Sequence, residues 1–73
     1  RRSSYDYALS TFAGEYFTSE PDGDEALITY WGSCRREEER IRLYRLAVEN
    51  CSFTVTEEDD PGREGRKRLR VGR

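Results

Sequence analysis

The eighteen residues from Ser33 to Asn50 contain neither Pro nor Gly, and whatever conformation they take constrains the rest of the chain. A helix over residues 34–49 is supported locally. Ser33 can cap its start, Glu37, Glu38 and Glu39 suit its positive end, Glu38 and Arg42 form an i,i+4 pair, and Asn50 suits its stop. Leu43, Tyr44, Ala47 and Val48 then make one apolar stripe, with Ile41 at its margin. A strand would use Tyr44, Leu46 and Val48 in alternation, with Glu49-Asn50 closing a hairpin. The length of the run and its content of good helix formers favour the helix.

Either conformation makes this segment a rod with a thiol at each end. Cys34 and Cys51 are then roughly 25 Å apart, whether one helix fills the segment at about 1.5 Å per residue or a turn precedes a shorter strand at about 3.3 Å per residue. A disulfide needs Cα atoms within about 7 Å, so both cysteines are expected free and buried, as small apolar residues. Asn50-Cys51-Ser52 fits the N-glycosylation acceptor pattern, which matters only in a secretory pathway.

The flanking segments read as strands. Tyr5 to Leu9 alternates apolar and polar residues, Glu15 to Thr18 is extended, and Pro21-Asp22-Gly23-Asp24 is a turn. The turn leads into a second arm, Ala26 to Trp31, with Ile28 and Tyr30 on one side and Leu27, Thr29 and Trp31 on the other. Both sides are apolar, the mark of a central strand. Cys51 to Thr56 alternates with Cys51, Phe53 and Val55 inward. An acidic and Gly-bearing loop is expected over 57–65, and Lys67 to Val71 reads as a short edge strand with Leu69 and Val71 inward.

The sum is an α+β fold: a small antiparallel sheet of about four strands with one helix, in the order β-β-α-β-β. An all-β five-stranded meander or small barrel is the rival. A chain of 73 residues makes one small domain, here 1–73, with 1–4 and 72–73 as loose ends.

Charge is distributed unevenly. From Ser3 to Gly62, fourteen acids against five arginines leave −9, whereas in 63–73 six basic residues against Glu64 leave +5. Clustered arginines suit phosphate or acidic surfaces, and an acidic body repels phosphate. There is no His and no Cys-x-x-Cys, which removes the commonest general base and metal ligands. No catalytic residue, metal, cofactor or small-molecule substrate is therefore expected.

The readings left are a non-enzymatic protein-binding module or small regulator, a nucleic-acid binder using 63–73, and an acidic nucleic-acid mimic that inhibits a basic partner. Its partner would be another protein or a second copy of itself. Tyr16, Tyr30, Trp31, Arg66, Lys67, Arg68 and Arg70 are the candidate contact residues, because Tyr, Trp and Arg anchor interfaces.

No apolar run approaches the roughly 20 residues that span a bilayer, so no membrane partner is expected. The compartment expected is cytoplasm or nucleus. The chain begins with Arg1 rather than Met, which fits processing or excision and leaves secretion open.

Trp31-Gly32, Arg36-Glu37-Glu38, Leu43 and Phe53-Thr54-Val55 together loosely resemble the first helix and following strand of an SH2 domain. Thr56 falls where that family's phosphate-binding Arg belongs, so the resemblance implies no phosphate site here.

The rod predicts two independent thiols. Alkylation of the denatured chain without reductant should label both Cys34 and Cys51; label that enters only after reduction would mean that the two are joined.

Overall fold

The computed structural model describes residues 16–73. Its elements run β1 (Phe17–Asp22), β2 (Glu25–Tyr30), a 3-10 turn (Cys34–Arg36), α1 (Glu37–Glu49), β3 (Thr54–Asp59) and β4 (Lys67–Gly72). Among the described residues this is the α+β arrangement, with one antiparallel sheet and one helix. The alternating segment Tyr5 to Leu9 and the expected loose end 1–4 lie outside the described residues.

The β1–β2 turn is tighter than the four residues that suggested it. Asp22 pairs with Glu25, leaving Gly23 and Asp24 as a two-residue loop. Gly23 has φ +64, the left-handed first position of a type II′ hairpin, which glycine occupies without cost. Pro21 becomes the last residue but one of β1. It is tolerated there because, among the described strands, β1 is an outer one and need not donate on that side.

Ser33 caps as expected, but on a 3-10 turn: its Oγ accepts from the backbone N–H of Arg35 at 3.2 Å, and α1 itself begins at Glu37 with no side-chain cap. The helix ends on hydrogen bonds from Cys51 N–H to the Val48 carbonyl and from Ser52 N–H to the Glu49 carbonyl. Ser52, at φ +70, makes the reversal that Asn50 was expected to mark. Cys51 and Ser52 therefore belong to the turn and β3 begins at Thr54, with Cys51 and Phe53 packed partly buried against the core.

The sheet order is β1-β2-β4-β3, every neighbouring pair antiparallel. This corrects the expectation of an edge position for β4. Leu69 and Val71 do face inward, fully buried, but the strand lies between β2 and β3. Alternation reveals which side chains point inward; it carries no information about which strands lie beside them. The loop expected over 57–65 is shorter for the same reason. Glu58 pairs with Arg68 and Asp59 with Lys67, so β3 continues through the acids to Asp59. Gly72, expected loose, is the buried last residue of β4.

The core is the contact of one sheet face with one helix stripe. Phe17, Ala26, Ile28, Tyr30, Val55, Leu69 and Val71 meet Ile41, Tyr44 and Val48. The Tyr44 ring stacks on Phe17 at 4.7 Å between centroids. Gly32 lets the Tyr30 side chain lie down at the end of β2, since a Cβ at that position would come 2.2 Å from the Tyr30 hydroxyl.

The stripe differs from the one expected. Ile41 is central to it, and Leu43 is 45% exposed. Residues 41, 44 and 48 recur at the helical period, and Leu43 points away from them. The expected Glu38–Arg42 pair is not formed among the described residues; Arg45 instead bridges Glu49 at 3.2 Å and Glu57 at 3.1 Å. Among the described residues, no helix is long and apolar enough to cross a membrane. Cys34 and Cys51 are both free, but Cys34 is exposed rather than buried, because it lies in the 3-10 turn outside the helix stripe, and Cys51 is half-buried.

Tyr44→Ala should cost roughly 3–5 kcal/mol, on the order of the total stability of so small a domain, whereas Leu43→Ala should stay within about 0.5 kcal/mol. Chemical denaturation followed by circular dichroism separates the two; equal losses would mean that Leu43 is a core residue.

Candidate functional site

Alternation along the strands places Thr18, Leu27, Thr29, Arg68, Arg70, Thr56 and Glu58 on the sheet face away from α1. Its centre is a charge network. Arg70 reaches Glu58 at 2.9 Å, Asp22 at 2.6 Å and Glu25 at 3.3 Å, while Arg68 shares Glu58 at 2.5 Å. Hydrogen bonds from Arg70 and Arg68 hold the Glu58 carboxyl below the usual carboxylate range. The carboxylates in turn raise Arg70 above its ordinary value.

The other two basic candidates are also engaged. Lys67 pairs with Asp59 at 2.6 Å, and Arg66 pairs with Glu37 at the start of α1 while donating to the Gly32 carbonyl at 3.2 Å. Arg66, Lys67, Arg68 and Arg70, the four basic candidates, are thus each matched by at least one acid.

The aromatic candidates divide. Tyr30 lies in the core at 2% exposure, so its ring is not presented to a partner. Tyr16 and Trp31 are 69% and 56% exposed and sit side by side, joined by a 2.6 Å hydrogen bond from the Trp31 backbone N–H to the Tyr16 carbonyl. Tyr16 has φ +70, a region that costs a bulky side chain about 1–3 kcal/mol and recurs at ligand-contacting positions.

Trp31 is fixed from two sides. Its indole Nε1 donates to Thr18 Oγ1 at 2.7 Å, and the guanidinium carbon of Arg63 lies 4.6 Å from the ring centre.

Arg63 can take this place because the loop after β3 is ordered. The Asp60 carboxylate accepts from Gly62 N–H at 2.9 Å and from Arg63 Nε at 2.9 Å, which holds Asp60 below the usual carboxylate range, Arg63 being the larger influence. Arg63 Nη1 then donates to the Tyr30 carbonyl at 3.0 Å. One loop therefore braces the end of β2 and presents a cation over an exposed indole.

Arg63 was not singled out in the sequence as a contact residue, and no local spacing could have done so. Leu43 and Leu46, the latter 52% exposed, were also missed as surface residues. Once Ile41, Tyr44 and Val48 are known to face inward, a helical projection shows both leucines facing out.

No protein-family model matches the chain, and no curated protein or solved structure matches it significantly.

The Glu58 network predicts an acid limb in the stability curve. A carboxyl held below its unfolded value stabilises the fold fully above that value, and the contribution is lost as pH falls through the lower folded value. Thermal melts of Glu58→Gln between neutral pH and pH 2 should show a shallower decline than wild type; parallel curves would mean that the network contributes nothing.

Proposed function

We propose that this chain is a non-enzymatic protein-binding module whose contact surface is the corner formed by Tyr16, Trp31 and Arg63. The observation that supports it is the side-by-side exposure of Tyr16 and Trp31, with the indole held by Thr18 and Arg63. Exposed Tyr and Trp are among the residues that dominate binding energy at interfaces, and Arg63, only 17% exposed, serves here to hold the indole. A ring already locked loses little conformational entropy when it is covered. The neighbouring sheet face carries paired charges of both signs, which suits the polar rim of such a contact.

The nucleic-acid reading has less behind it. Phosphate contacts need cations that can exchange counterions for phosphate, and here Arg66, Lys67, Arg68 and Arg70 would first have to leave their carboxylates. The acidic-mimic reading has the converse weakness, since Glu58, Asp59 and Asp60 are matched by basic neighbours.

The test uses the tagged chain and its Tyr16→Ala/Trp31→Ala variant as baits in the source cell. The wild type should recover a stoichiometric partner, and the variant should bind it at least about 30-fold more weakly while melting at a similar temperature. Trp31 is the only tryptophan, so its fluorescence should shift to the blue when that partner is added. Equal recovery by the variant would overturn this surface. Duplex binding whose affinity falls steeply with salt would favour the basic segment instead.

A further inference from the structure

The outer face of α1 poses a separate question, because two leucines stand on it in water. Leu43 and Leu46 are 45% and 52% exposed and lie one turn apart, opposite the buried stripe of Ile41, Tyr44 and Val48. Glu39 and Asn50 extend the same line at either end. On one flank of this line are Arg42 and Glu49, seven residues and so two turns apart. Arg42 makes no ion pair among the described residues, and Glu49 has only its exposed bridge to Arg45.

We propose that this face is a self-association surface, occupied by α1 of a second copy packed antiparallel about a two-fold axis. Such an axis, passing between the two helices at the level midway between Leu43 and Leu46, brings Leu43 against Leu46 of the other copy and Leu46 against its Leu43. The same operation keeps each flank facing its own equivalent with direction reversed. Arg42 then comes within about 3 Å, along the helix axis, of the level of Glu49 in the second copy, a gap that these long side chains span. The pair forms twice. An arginine and a glutamate two turns apart on the same flank are complementary to their own reversed copy. This self-matching is what favours a second copy over an unrelated helix.

Two leucines per copy bury less than a standard interface of roughly 1,200–2,000 Å², so the dimer belongs to the weak, reversible class. The surface lies on the far side of the molecule from Trp31, because α1 covers one sheet face and Trp31 lies with Thr18 beside the other. The inference is independent of the proposed binding corner.

Sedimentation equilibrium up to millimolar concentration tests it. The wild-type mass should rise with concentration from the 8.6 kDa of one copy toward twice that value. Leu43→Glu/Leu46→Glu should stay at one copy with an unchanged circular dichroism spectrum, the positions being exposed. Arg42→Glu alone and Glu49→Arg alone should each lose dimer, and an equimolar mixture of the two should regain it, since each then supplies the charge that the other lacks. Tyr16→Ala/Trp31→Ala should associate as the wild type does. A wild type that remains a monomer, a Leu43→Glu/Leu46→Glu variant that still dimerises, a charge-reversed mixture that does not recover, or association lost with Trp31 would each overturn the proposal.

Discussion

β4 is the strand on which the rest of the structure depends. It bonds to β2 on one side and β3 on the other, and those two strands do not touch without it. Leu69 and Val71 enter the middle of the core, with Val71 between Ala26 and Val55 across the sheet. The helical connection from β2 must therefore leave a gap that only the end of the chain fills. Pairing between segments so far apart in sequence is costly in loop entropy until the apolar contacts form. The β3–β4 hairpin supplies those contacts together with the closing loop.

The same insertion changes the meaning of the basic segment. On an exposed edge, Arg66, Lys67, Arg68 and Arg70 would project a concentrated positive charge. In a central strand they lie between acids: Glu58 and Asp59 from β3, Asp22 and Glu25 from the first hairpin, and Glu37 from the helix. The acidic body and basic end that look like separate functional regions along the chain become each other's counterions. What remains conspicuous on the sheet face away from α1 is aromatic, at the corner where the β3–β4 loop holds Arg63 over Trp31.

The helix completes the arrangement by dividing its own leucines from its core. Ile41, Tyr44 and Val48 seal the inner face of the sheet, which leaves Leu43 and Leu46 in solvent with a flank whose charges match their own reversed copy. The described residues therefore carry two unlike surfaces, a braced aromatic corner on one side and a small leucine stripe on the other.

The helix at 34–49, the hairpin before it, and the inward residues Val55, Leu69 and Val71 could be read from the chain alone, because period and turn chemistry are local properties. The free cysteines followed from the same local regularity, since a rigid segment holds its ends apart. Three features could not be read this way: the place of β4, the extension of β3 through its acids, and the burial of Tyr30. Each depends on which strand lies alongside, and pairing between distant segments leaves no trace in local spacing. Arg63 beside Trp31 is the plainest case, because that contact exists only after the whole sheet has closed.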